Sequence, residues 1–191
     1  MDLFQLIIEA RQNNRIAQRE LYNLYAKPMF LLCRQYTRDD IISEEMVVNG
    51  FIRFFRSLKS FRFVSEVATD NFVRRIMVNE CIRYLRRHKE VALVVMEDIP
   101  EHGVPEQIIA DITAKEIFVM IAQLPLGYRT VFNLTVLENK SHKEIADMLK
   151  ISEKTSQSQF RRAKDLLQQM LIQKNKDYES RTTKENKEKA E

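Results

Sequence analysis

The sequence predicts an all-α protein of two small helical domains joined by a linker, the C-terminal one containing a helix-turn-helix. Three observations carry this expectation. Only three Gly and four Pro occur in 191 residues, whereas a many-stranded fold needs turn residues about every 8–12 positions. Apolar residues recur at three- and four-residue spacing through most of the chain, which is the period of an amphipathic helix. One break, residues 91–111, gathers Pro100, Gly103 and Pro105 and separates two helical blocks.

Leu3, Phe4, Ile7 and Ile8 open the first block, residues 1–90, with a short amphipathic helix. Ile16, Leu21, Leu24 and Tyr25 continue the pattern through Phe30, Leu31 and Tyr36. Pro28 interrupts it, which predicts a kink or break just before that residue. Asp39 or Asp40 can cap a third helix, which runs through Ile42, Met46 and Phe51 to Phe54, Phe55 and Leu58. The segment Lys59 to Asp70 has weak periodicity and reads as a loop. A fourth helix carries Phe72, Val73, Ile76, Met77, Cys81, Ile82 and Leu85. In the linker, Val91 to Met96 is a short apolar run that periodicity assigns to neither strand nor helix.

The second block spans residues 112–173. Thr113 and Glu116 stand at capping-box spacing before Ile117, Val119, Met120, Ile121 and Leu124. From Lys174 to Glu191 the chain is polar and charged throughout. Such a tail cannot bury enough apolar surface to offset chain entropy and is predicted to be disordered.

Composition excludes several classes. A hydrophobic share of 45% suffices for packed cores, and 30% charged residues fits an ordinary soluble surface. No apolar run approaches the roughly 18 residues of a membrane span, and Met1-Asp2-Leu3-Phe4 lacks the basic region of a signal peptide. The expectation is a cytoplasmic protein. Cys33 and Cys81 have no Cys or His at metal-ligand spacing and read as buried thiols. His88, His102 and His142 form no constellation with a nucleophile, and GxSxG, HExxH, Walker A and GxGxxG patterns are all missing. Neither an enzyme nor a bound cofactor or metal is expected. The net charge is only +4, but it is clustered. Arg74, Arg75, Arg83, Arg86, Arg87 and Lys89 form one group, and Arg161, Arg162 and Lys164 another. Localised basic faces of this kind suit phosphate binding.

The strongest local signal runs from Ser141 to Thr155. Ser141 and Glu144 make a capping box, which starts a helix sharply. Ile145, Ala146 and Leu149 give that helix one apolar side, and small Ala146 lets a second helix cross closely. Lys150-Ile151-Ser152 forms a short turn with Ile151 toward the core, and Ser152 caps a helix that extends through Phe160 and Leu166 to Met170. Two helices joined by about three residues form a helix-turn-helix, whose second helix offers its N-terminal residues to the major groove. Those residues are Lys154, Thr155, Gln157, Ser158, Gln159, Arg161 and Arg162. Gln can bond bidentately to adenine and Arg to guanine, while Lys and Ser suit phosphate or either base.

Leu124-Pro125, Arg129, Val131-Phe132, Leu134, Glu144-Ile145-Ala146, Ile151-Ser152, Thr155 and Arg162-Ala163 stand in the order and spacing of one known pattern. The stretch resembles the C-terminal promoter-binding domain of extracytoplasmic-function (ECF) sigma factors of bacterial RNA polymerase. Tyr22 to Tyr25, Ser43 to Phe51 and Arg74 to Asn79 through Arg86-Arg87 resemble the same family's polymerase-binding and promoter-melting domain. There are departures. Ser43-Glu44-Glu45 and Val48-Asn49 differ from the usual docking-helix residues. Phe72 stands for the usual Trp, and Lys150 and Lys154 stand for Gly. A left-handed Lys150 would carry about a kcal/mol of strain.

The resemblance implies three sites. A helix bearing Glu44, Glu45, Asn49 and Arg53 would dock on the coiled coil of the polymerase β′ subunit. The loop Ser60-Phe61-Arg62-Phe63 and a helix face with Asn79, Arg83, Arg86 and Arg87 would hold the minus-ten element, where an extruded base needs aromatic groups beside basic ones. The residues alone also allow Phe61 or Phe63 to be a core residue. The second helix of the helix-turn-helix would read the minus-thirty-five element. The implied partners are core RNA polymerase, promoter DNA and an anti-sigma factor. The rival reading is a stand-alone helix-turn-helix regulator, with the first block as a sensor or dimerisation module.

Overall fold

Helix capping sets most of the boundaries. In the computed structural model, which describes residues 2–88 and 113–188, eight helices and no strand occur among the described residues. The first four are α1 (Leu3–Arg11), α2 (Arg15–Thr37), α3 (Asp40–Ser57) and α4 (Glu66–Arg87). The others are α5 (Ala114–Gln123), α6 (Leu126–Val136), α7 (His142–Leu149) and α8 (Glu153–Glu188). They fall into two units, Met1–Glu90 and Val91–Glu191. The whole 91–111 segment, and with it Val91 to Met96, lies outside the described residues.

In the first unit, Asp2, Asn14, Asp39 and Ser65 each turn a side-chain oxygen onto a helix-start amide, filling donors that would otherwise lack a partner. Helix α2 packs against α1, α3 and α4, and α3 packs on α4. Leu21, Tyr36, Phe54, Met77 and Leu85 are completely buried between them. Of the kink or break that the sequence predicts at Pro28, the break does not occur, and α2 runs on through it. Its ring is exposed, and the carbonyl it leaves unbonded belongs to the exposed Leu24, so water can serve that acceptor. Tyr25, Met29, Leu32 and Cys33 fasten the helix on both sides of the proline. The predicted loop from Lys59 to Asp70 is shorter than expected, because Ser65 caps α4 and its first turn begins at Glu66.

Two close approaches lock this unit. A Cβ built on Gly50 would stand 2.1 Å from Met77 Sδ, so α3 meets α4 where only hydrogen fits. Cys33 of α2 and Cys81 of α4, both buried, hydrogen-bond to each other. That bond first, and burial second, push the Cys81 thiol well above its ordinary value, which suits an inert core thiol.

In the second unit, α6 and α7 pack on α8, and α5 meets α8 near its own start. Met120, Ile121, Leu124, Tyr128, Val131, Leu134, Ile145, Leu149 and Ala163 are the buried apolar residues of these helices among the described residues. Thr113 and Ser141 both make complete capping boxes with Glu116 and Glu144. Arg129 is the largest buried side chain and only 1% exposed. Its Nη1 donates to the Ala122 and Leu124 carbonyls at 3.2 and 3.3 Å, so it satisfies acceptors that the end of α5 leaves open. Lys150 does take the left-handed conformation, with φ 59° and ψ 44°. The Ile151 amide reaches back to the Ala146 carbonyl at 3.2 Å and closes a Schellman-type turn. Ile151 itself is half-buried. The backbone of α8 stays helical to Glu188, where a disordered tail from Lys174 was expected. Lys, Glu and Gln are good helix formers, and extending an existing helix avoids the cost of nucleation.

Candidate nucleic-acid interfaces

The start of α8 is fixed on three sides. Ser152 Oγ accepts from the Thr155 amide at 2.9 Å and bonds the Thr155 hydroxyl at 2.8 Å. His142, at the start of α7, bonds Ser156 Oγ through Nδ1 at 2.9 Å. The Phe160 ring lies between Phe132 and His142, at 5.9 and 5.6 Å between centroids. Of the seven residues assigned to base reading, Lys154, Gln157, Ser158 and Arg161 are exposed. Thr155 is half-buried in the cap, and half-buried Arg162 donates to the Tyr128 hydroxyl at 3.4 Å. Gln159 is a correction. It is 3% exposed, and its amide lies against Gly127, 3.4 Å from where a Cβ would stand. It faces the core and cannot reach a base. The exposed four, spaced three and four residues apart, share one face of the helix.

The second site lies between α3 and α4. A cleft of about 660 Å³ is lined by Ser60, Phe61, Arg62, Asn71, Phe72 and Arg75, among others, a size that accepts a small flat ligand. Phe61 stacks on Phe72 with centroids 4.6 Å apart and an interplanar angle of 25°. The Arg75 guanidinium sits over the Phe72 ring, 5.6 Å from its centroid. Phe63 contacts Phe4 of α1 at 5.3 Å. Both Phe61 and Phe63 are half-buried, so neither is the core residue that the sequence allowed one of them to be. Asn71 is an addition that sequence reasoning missed, and Arg75, read there only as part of a basic cluster, joins it on this wall because α4 starts at Glu66.

From this cleft a polar stripe follows α4. Phe72, Arg75, Asn79, Arg83 and Arg86 recur at three and four residues and so share a face, over about 21 Å at 1.5 Å per residue. Asn79, Arg86 and Arg87 are exposed and Arg83 half-buried. Arg83 is held by Glu80 at 3.1 Å, and Arg53 of α3 pairs with the same carboxylate oxygen. Glu80 is 2% exposed. Arg53 was assigned to polymerase docking, but the structure gives its guanidinium this internal partner as well. Of the other docking candidates, Glu44 and Glu45 are exposed. Asn49 is half-buried and donates to Glu45 Oε1 at 3.4 Å. Ile41, Val48 and Ile52 add exposed apolar surface to the same helix.

Among the described residues, no group of three or more His, Cys, Asp or Glu is placed to hold a metal ion. No described helix is long and apolar enough to cross a membrane.

Comparison with known proteins gives the same division. Residues 21–91 match the sigma-70 region 2 family, and residues 114–167 match sigma-70 region 4. The ECF RNA polymerase sigma-E factor of Haemophilus influenzae is 27% identical over 180 residues, covering 87% of this chain and 93% of that protein. The ECF RNA polymerase sigma factor SigW of Bacillus subtilis is 25% identical over 178 residues, covering 86% and 94%. SigM of Mycobacterium tuberculosis, another ECF sigma factor, is 25% identical over 158 residues, covering 83% and 79%. The solved structure of CnrH in complex with the cytosolic domain of CnrY aligns with a TM-score of 0.45 at 20% identity, over 87% of this chain and 95% of that one. The sigma-70 family is not a class of enzymes. With regions 2 and 4 matched in order along one chain, the protein belongs to the sigma-70 family, in its ECF group, and is an RNA polymerase sigma factor.

Proposed function

We propose that the three surfaces divide the work of initiation as follows. The exposed face of α3, with Glu44, Glu45 and half-buried Asn49, docks on core polymerase. The α3–α4 cleft and the stripe Asn79, Arg83, Arg86 and Arg87 hold the unpaired minus-ten strand. The face Lys154, Gln157, Ser158 and Arg161 reads the minus-thirty-five duplex. One observation carries the assignment of the cleft: an aromatic stack, Phe61 on Phe72, flanked by cationic and amide groups from Arg62, Arg75 and Asn71. That is the chemistry an extruded base requires, since stacking holds any base and polar groups choose among them.

Mechanically, this is binding energy applied to strand separation. Unpaired bases are rare in free duplex, so a site that binds only them shifts the population toward the open state. No catalytic residue is required of this chain, because the polymerase carries the chemistry. Two DNA sites on one chain raise each other's effective concentration. The cytoplasm, where polymerase and chromosome meet, is the proposed place of action. An anti-sigma partner that masks these faces is the regulator that the family resemblance implies.

The test mixes the purified chain with core polymerase lacking any sigma subunit and follows complex formation by gel filtration. The complex is then used to select promoters from a fragment library. A one-to-one complex that opens selected fragments is expected. Opening should fall with Asn79→Ala and Arg86→Ala at unchanged polymerase binding, whereas Gln157→Ala and Arg161→Ala should weaken duplex binding. Failure to bind polymerase would overturn this division and favour the stand-alone regulator.

A further inference from the structure

Helix α1 lies ahead of the segment that matches sigma-70 region 2, which begins at residue 21, yet it touches the loop between α3 and α4 twice. Arg11 Nη2 donates to the Phe61 carbonyl at 2.6 Å across 50 residues of sequence. The Phe4 ring meets Phe63 at 5.3 Å. Phe4, Ile8 and Arg11 are spaced four and three residues apart and share one face of α1. The adjoining face is anchored independently, since Leu3, Leu6, Ile7 and Ala10 are buried where α1 packs on α2. The helix is therefore a fixed strut with two contacts on a loop that has little regular structure of its own.

What those contacts restrain matters more than their number. Phe61 is the residue whose ring stacks on Phe72 inside the cleft, and its own backbone carbonyl is the one that Arg11 holds. A charged guanidinium on a carbonyl makes a stronger and shorter bond than a neutral donor does. Phe63, two residues on, is pinned by a ring rather than by a hydrogen bond. With residues 61 and 63 both tied, Arg62 between them is carried on a backbone of restricted motion, and Arg62 lines the same cleft. Arg11 is exposed and Phe4 is 48% exposed, so core packing makes little demand on either.

We propose that α1 is the brace of the minus-ten loop, with Arg11 and Phe4 as positioning residues that set how sharply the cleft selects its base. This rests on the reading of the cleft as a base pocket, and the test separates the two. Holoenzyme is assembled from core polymerase and the full chain. Its probe is a duplex with a six-nucleotide unpaired stretch, randomised on the non-template strand. Bound molecules are sequenced, and the readout is base enrichment at each position, which a merely structural residue would not alter at constant polymerase affinity.

Phe61→Ala is expected to abolish enrichment at one position. Arg11→Ala should lower it at that same position by roughly fivefold, the scale of one lost hydrogen bond, and Phe4→Ala by a similar factor, the scale of one lost aromatic pair. Enrichment elsewhere, and affinity for core polymerase, should stay as in the parent. Arg11→Lys, which keeps a cationic donor, should recover most of the loss. If Arg11→Ala costs helicity by circular dichroism, Phe4→Leu supplies the same test, because it keeps apolar bulk and removes the ring. Full enrichment in the Arg11 and Phe4 variants, with Phe61→Ala still abolishing it, overturns the brace and leaves the pocket standing. Full enrichment in Phe61→Ala as well overturns the pocket and the brace together.

Discussion

Removing Arg53 and Arg83 together should destabilise the first unit by much more than the two single losses combined. Both guanidiniums pair with one oxygen of Glu80, whose side chain is 3% exposed, while their own side chains are 50% and 39% exposed. In Arg53→Ala the carboxylate keeps Arg83, and in Arg83→Ala it keeps Arg53. Each single change therefore removes a half-exposed ion pair, worth up to about 1 kcal/mol. The double variant leaves a buried carboxylate with no cation, a condition that costs about 3–5 kcal/mol. The coupling is then on the order of 1–5 kcal/mol, well outside the roughly 0.5 kcal/mol within which independent sites add. Urea unfolding read by hydrogen exchange of α3 and α4 amides isolates this unit from the other. Adding Glu80→Gln to the double variant should recover part of the loss, because the buried charge is gone. Additive single effects, or no relief from Glu80→Gln, would refute the shared-carboxylate account. The same logic governs functional assays. An Arg53→Ala defect in polymerase binding counts as a docking effect only if Glu80→Gln does not reproduce it.

Gly50→Ala sets a helix-propensity gain of about 1 kcal/mol against overpacking of about 1–3 kcal/mol, since its Cβ would stand 2.1 Å from Met77 Sδ. It should destabilise in the parent and stabilise in a Met77→Ala background, measured by the same unfolding assay. Lys150→Gly should raise the stability of the second unit by about 0.5–1 kcal/mol, because Lys150 holds φ 59° at a position where glycine carries no Cβ penalty. A fall in stability would mean that the Lys150 side chain contributes more than the backbone strain costs. Glu144 is held below the ordinary carboxylate value, chiefly by the Ser141 amide and then by its hydroxyl. The bond to Lys174, followed by the Thr113 amide and hydroxyl, brings Glu116 from 4.5 down to about 2. Both values are depressed in the folded state, so their stabilisation is present above the unfolded value and is lost as pH falls through the folded one. Protection of the amides at the start of α5 should fall between about pH 4.5 and 2. Protection at the start of α7 should fall as pH drops below the ordinary carboxylate value. Ser141→Ala, which removes the hydroxyl but keeps the amide, should remove the smaller part of that dependence at α7.

What the sequence made legible was local, and what it hid was mostly contact across distance. The two capping boxes and the Lys150 turn depend on residues within five positions of one another, and all three were readable. The start of α4 was not, because Val64 and Val67 are 79% and 68% exposed and so put apolar residues where the helical pattern wants polar ones. The Arg11 bond to Phe61 joins a helix to a distant loop and the Cys33–Cys81 contact joins two helices, and no spacing rule reaches either. Gln159 is different, since its burial was legible and was passed over. At about 100° per residue, Gln157, Ser158 and Arg161 stand within about 60° of Lys154 around α8. Thr155 and Arg162 stand about 80–100° away, and Gln159 about 140° away, near Ala163 at about 180°. Exposure follows that order: four residues exposed, two half-buried, and Gln159 buried with Ala163. Chemistry suggested that any glutamine near the start of the helix could bond an adenine. Geometry allows only one side of a helix to enter a groove, and where the two disagreed the angle decided.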